Sequence, residues 1–240
     1  MTLDDVRARL REHADPEDAR NLQRFFKTRP GEYGEGDVFI GVRVPALRRL
    51  AKEFRALPTG DAAELLRSPV HEERLLALLI LVGAYAKGDD MLRGRIFDFY
   101  LANTRFINNW DLVDSSAADI IGAHLHGCDR SLLDRLARSE LLWERRIAII
   151  ATFFFIRRGE FADTLRIAAL LLHDRHDLIH KAVGWMLREV GKRDQEAEEA
   201  FLREHCRAMP RTMLRYATER FPEPLRQAYL RGEPAVAEAT

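Results

Sequence analysis

Apolar residues recur three and four positions apart along most of the chain, the period of a helix with one buried face. They predict helices from Pro16 to about Lys27, from Pro45 through Phe54 and from about His71 to Lys87. Further helices are predicted near 89–102, 110–126, 130–139, 141–158, 160–172, 175–192, 194–207, 211–220 and 223–230. Asp15-Pro16 sets an N-cap before a proline at the first helical position, and Ser68-Pro69 precedes the apolar helix. Breaks are short and carry Gly, Asp, Asn or Pro. No run alternates like a strand over several residues, so the expectation is an all-α chain. It is read as one domain over residues 1–231 with a frayed tail, 232–240. One connection stands apart: PGEYGEG, residues 30–36, holds three of the 14 glycines. It reads as a flexible turn, or as a loop that lets backbone approach a ligand closely.

Arg74, Trp110, Arg146 and Lys181 are separated by 36, 36 and 35 residues. One turn on lie Leu78, Asp114, Ile150 and Trp185. The segments VHEERLLALLIL (70–81), LWERRIAIIATF (142–153) and IHKAVGWMLREV (179–190) share a basic residue in this register. NNWDLVDSSA (108–117) carries Trp110 in its place. A repeat of this length predicts helix pairs stacked into a solenoid, with equivalent positions on one continuous surface. Cations, two tryptophans and one carboxylate on such a surface suit a polymer with a charged backbone better than a small apolar ligand.

Composition narrows the function classes. With 47% hydrophobic and 32% charged residues the chain has the balance of an ordinary soluble protein. Lys and Arg number 38, and so do Asp and Glu. A general polyanion sponge would be basic overall, so any nucleic-acid site must come from segregated charge. The two cysteines have no metal-ligand spacing, which points to a reducing cytoplasm. The N-terminus lacks the apolar core of a signal peptide, and the longest apolar runs fall far short of the ~20 residues that span a bilayer. The expectation is a cytoplasmic monomer with no membrane partner.

Lys181, Trp185, Arg188 and Lys192 form one helical stripe, while Val183, Met186, Leu187 and Val190 form the core-facing one. The bland reading is a solvated basic face with Trp185 tucked against a neighbouring helix. The functional reading is an aromatic that packs on a sugar or base while cations hold phosphates. Trp110 and Asp114 also share a face, with Asn108 or Asn109 as cap. They read as a structural plug and a surface acid, or as a site. Asp111 points about 100° away from Trp110 and ranks lower. The register selects Arg146 over Arg145, either for phosphate or for an ion pair between repeats. Arg48, Arg49, Arg157, Arg158, Arg211 and Arg215 are unassigned candidates for further phosphate contacts. His173, His176 and His180 complete no zinc signature. No nucleotide-loop or nucleophile motif is present, so neither metal nor cofactor is expected.

WDLVD (110–114), WERRIAI (143–149), KAVGWMLRE (181–189) and FFKTRPGEYGEGDVFIGVRVP (25–45) resemble the AlkD family of bacterial alkylpurine DNA glycosylases over roughly residues 15–220. The resemblance implies a right-handed solenoid of HEAT-like helix pairs with a concave DNA-binding face. It implies hydrolysis of the N-glycosidic bond of N3- or N7-alkylated purines in duplex DNA, without a small-molecule cofactor. Trp110, Asp114 and Trp185 match the family's catalytic cleft, and Arg146 its cleft arginine. Phe25 stands where some relatives carry tyrosine, and Arg43 where some carry glutamine. Lys181 and Arg188 are expected to help hold DNA. On this reading Asp114 stabilises a sugar cation and the two indoles exclude water. The competing class is a non-catalytic HEAT-like module that binds DNA or protein; it gives no reason for a carboxylate amid cations. A small-molecule hydrolase ranks third.

Overall fold

The structure is a computed structural model that describes residues 2–233. The described residues divide into two compact units, the cut falling between His124 and Leu125. The first unit contains α1 (Leu3–Arg11), α2 (Pro16–Phe25), α3 (Val44–Glu53), α4 (Thr59–Leu66), α5 (His71–Lys87), α6 (Asp90–Ala102) and α7 (Trp110–Asp114). The second contains α8 (Ser131–Ala137), α9 (Leu142–Ala151), α10 (Phe153–Ile156), α11 (Ala162–Leu170), α12 (Asp177–Gly191), α13 (Gln195–His205), α14 (Arg211–Ala217) and α15 (Glu223–Arg231). Among the described residues the only β pairing is an isolated bridge between Val38 and Val70. The protein is all-α.

Each unit is built on one long apolar helix. In the first, α5 packs against α3, α4 and α6. It is apolar nearly all round, and every residue from His71 to Leu78 is buried. In the second, α12 packs against α9, α13 and α14. A Cβ on Gly184 would overlap the Met213 carbonyl and the Tyr216 Cβ, so α12 and α14 approach as closely as backbones allow.

Two helices carry too weak a pattern to be read from sequence. α1 is charged and anchors itself through only Val6 and Leu10. Its start is nonetheless signalled by a capping box, with Thr2 and Asp5 each accepting from the other's backbone N–H. α4 is only eight residues long. Two helices expected to be continuous are interrupted. After Asp114 the chain turns and enters a π-helical stretch, Ala118–Gly122. Ser116 Oγ donates to the Leu112 carbonyl at 2.6 Å, competing with the helical ladder. The 141–158 stretch breaks at Thr152, whose hydroxyl donates to the Ile149 carbonyl at 2.7 Å.

The 30–36 loop folds onto its own chain. A Cβ on Gly34 would overlap the Phe26 carbonyl, so the close approach that glycine permits there is intramolecular. Of the tail expected to fray, Gly232 instead closes α15 in the left-handed region, φ 74°. The rest of that tail, residues 234–240, lies outside the described residues.

Candidate functional residues in each unit

The first four residues of α5, His71-Glu72-Glu73-Arg74, are polar and all buried. Each ties down a different segment. The Glu72 carboxylate accepts from the backbone N–H groups of Ile40, Gly41 and Val42, at 2.8 Å from Gly41. Gly41 has φ 86°, and a Cβ there would overlap the Asp15 carbonyl, so the turn needs glycine. Arg7 of α1 donates to Glu73 at 3.2 Å. Arg74 donates to Asp37 at 2.5 Å and to the Ser68 carbonyl at 2.9 Å.

His71 sits at the centre of this hub. Its Nδ1 lies 2.9 Å from Asp37 and its Nε2 2.8 Å from Asp111. Both ring nitrogens face carboxylate oxygens, and only the imidazolium supplies an N–H to each. Burial works to lower the His71 pKa, but the hydrogen bonds to Asp111 and Asp37 outweigh it and raise it to about 8. Burial likewise works to raise Asp37, and its bonds to His71, Arg74 and Asn109 hold it below the ordinary carboxylate value.

This hub sets α7. Asn109 accepts from the Trp110 N–H at 2.8 Å and donates to Asp37 at 3.3 Å. Asp111 is held by His71. The Trp110 ring lies nearly parallel to Phe26, 5.2 Å away at 15°. Phe26 stacks on Phe39 at 5.0 Å, and Phe39 on the His71 ring at 4.4 Å. Phe25, 63% exposed, meets Trp110 edge-on at 5.9 Å. One face of the indole is therefore backed by a column of rings that ends on a buried charge. Asp114, one turn along α7, is half-buried. Beneath it the buried Tyr100 hydroxyl lies 2.9 Å from Ser116 Oγ. Burial and the Asp114 charge together push the Tyr100 phenol above its usual value.

In the second unit Trp185 is half-buried on α12, its ring 6.0 Å from Phe153. Its Nε1 donates to the buried Glu189 carboxylate at 3.2 Å. Lys192 and Arg193 also bind Glu189, at 2.5 and 3.2 Å. Burial works to raise Glu189, and the Lys192 bond leads the contacts that bring it below its ordinary value. Lys181 pairs with Asp177 at 2.7 Å and Arg188 pairs with Glu219. Arg146 is 4% exposed, and its partners include the Leu178 carbonyl at 2.5 Å. Arg145 pairs with Asp174 at 2.6 Å. His176 caps α12 by accepting from the Leu178 N–H, and His180 lies 2.5 Å from the Asp174 carbonyl.

A family profile described as DNA alkylation repair enzyme matches residues 6–221. The chain belongs to the DNA alkylation repair enzyme family. A solved structure, described as a predicted DNA alkylation repair enzyme from Enterococcus faecalis, shares the fold with a TM-score of 0.67 and 16% sequence identity. The similarity covers 88% of this chain and 98% of that one. No curated protein matches the sequence.

Within this repair-enzyme fold, the single continuous surface expected from the 36-residue register is corrected. Arg74, Leu78, Arg146 and Ile150 are buried, whereas Trp110, Asp114, Lys181 and Trp185 are partly exposed. Arg74 points into an ion pair because the first two turns of the helix that carries it, His71 to Leu78, are enclosed on all sides. Phe25 sits beside Trp110. Arg43 is 76% exposed and pairs with Asp18, its two contacts at 2.5 and 2.8 Å. Asp37, His71 and Glu72 escape a reading by motif. Four consecutive polar residues opening a helix with no polar face were the available signal. Asp111, ranked low for pointing away from Trp110, points into the hub for that reason. No helix among the described residues is long and apolar enough to cross a membrane.

Proposed function

We propose that this member of the family is a DNA glycosylase acting on N3- or N7-alkylated purines in duplex DNA. The observation that carries the reading is the pairing of a backed, half-exposed indole at Trp110 with a carboxylate at Asp114 on the same short helix. Alkylation makes the purine cationic and a good leaving group. The C1′–N bond breaks, its electron pair stays with the departing base, and positive charge develops on the deoxyribose. Water adds at C1′ and gives up a proton. Asp114 faces the sugar cation and orients that water, and Trp110 packs on the sugar and excludes bulk solvent. A carboxylate at about 4 Å in an effective dielectric of about 20 is worth roughly 4 kcal/mol. Felt in the transition state, that is on the order of 10³ in rate. Lys181 and Arg188 hold phosphate, and Trp185 offers a second indole. Arg146 reaches a phosphate by giving up internal bonds, that to the Leu178 carbonyl among them.

Duplex carrying 7-methylguanine tests this without added metal. Asp114→Asn is expected to retain binding and to release base about 10³-fold more slowly, above the spontaneous background. Undiminished release removes Asp114 from the reaction. Salt-sensitive binding by the wild-type chain with no release at all favours the non-catalytic DNA-binding module instead.

A further inference from the structure

A groove of about 1060 Å³ runs between α3 and the C-terminal half of α5, well away in sequence from Trp110 and Asp114. Its floor is apolar and low, formed largely by Leu79, Val82, Gly83 and Ala84. Its rim carries Arg48, Lys52, Arg55 and Lys87, and no carboxylate lines it. Glu53, next to Lys52, is the nearest acid in sequence, and it is taken by Arg9 at 3.1 Å. Among the described residues none of the four rim cations has an ion-pair partner.

Gly83 adds an independent observation. It lies inside a 17-residue helix, where glycine weakens the helix relative to alanine. A Cβ there would meet nothing within 4 Å, so the fold itself does not require glycine at this position. A bare patch of helix is useful when something outside must lie against it. The volume exceeds that of a single side chain and suits a short chain segment.

We infer that this groove docks an acidic peptide segment of a partner protein. Its carboxylates meet the four cations and a large apolar side chain seats on the Gly83–Ala84 floor. A phosphodiester backbone would match the charge but has no use for an apolar floor. The inference goes beyond base release and does not depend on it.

The test is fluorescence anisotropy with the full chain and a short labelled peptide, a run of Asp and Glu ending in Leu-Phe. Saturable binding is expected. Gly83→Met, which fills the floor, and Lys52→Glu, on the other wall, should each weaken it at least tenfold. A peptide of equal charge without Leu-Phe should bind at least tenfold more weakly. Circular dichroism checks that each variant folds, and Arg55→Glu replaces any that does not. No binding, equal affinity for the peptide lacking its apolar end, or indifference to the substitutions overturns the proposal. So does a duplex oligonucleotide whose binding the same substitutions abolish and the peptide cannot displace, which would assign the groove to DNA.

Discussion

Trp110 and Trp185 occupy comparable places, each half-exposed on a helix of its own unit, yet they are held in opposite ways. Trp110 is held by its face. A column of Phe26, Phe39 and His71 backs it, and the charges that fix the column lie out of water. Trp185 is held by its edge. Its N–H binds Glu189, whose cationic partners Lys192 and Arg193 are 40% and 34% exposed. The first arrangement spends its charges on geometry. The second leaves cations within reach of a polyanion. Under the proposed function these suit different tasks: a catalytic ring needs fixed orientation, and a phosphate-binding surface needs accessible charge.

The largest effect separating the two is expected at Asp37. This carboxylate faces His71, Arg74 and Asn109 and is 3% exposed. Asp37→Ala leaves a buried guanidinium and half the imidazolium without a counter-charge. Breaking such a pair costs about 3–5 kcal/mol. In a Trp143→Phe, Trp185→Phe background Trp110 is the only tryptophan and reports the first unit alone. The urea midpoint followed by its emission should drop sharply. An unchanged midpoint would mean that the hub does not hold α7.

The same contrast explains what was legible in the sequence. Helix positions were readable because an amphipathic period is a local property of the chain. The helix from about His71 to Lys87 was placed, and the weakly patterned α1 and α4 were not. That Trp110 and Asp114 share a short helix was readable because four-residue spacing sets a common face. The exposure of equivalent repeat positions was not, because it depends on which neighbours enclose each helix. Arg74 and Lys181 share a register, yet one is locked on Asp37 and the other lies on the surface. The hub was invisible for a related reason. Asp37, His71 and Asp111 lie 34 and 40 residues apart and meet only after folding.

A middle-sized effect concerns pH. His71 is raised from 6.5 to about 8 in the folded chain. A cation with a raised folded value adds stability that is complete below the unfolded value. That stability is lost as pH climbs through the folded one. The first unit should therefore lose about 2 kcal/mol as pH rises from below 6.5 to above 8. His71→Gln should abolish this fall, and Asp111→Asn should move it to lower pH. Glu198 in the second unit is a buried carboxyl raised to about 8, so it also weakens its unit as pH rises. The Trp110 reporter keeps the two apart. A flat profile for the first unit would show that His71 is not charged between Asp37 and Asp111.

The smallest effect lies at Glu189, and it runs in two directions. Glu189→Gln still offers an oxygen to the Trp185 N–H but loses its charge. Because Lys192 and Arg193 are partly solvated, the loss of stability should be only about 1 kcal/mol. The cations released from an internal carboxylate become available to phosphate. Duplex affinity should therefore rise at low salt, and the slope of log affinity against log salt should steepen by about 0.9 for each cation engaged. No comparable gain can follow at Asp37, whose partners are enclosed. If Glu189→Gln loses stability and DNA affinity together, Glu189 serves the second tryptophan as Asp37 serves the first, and the division between the two units fails.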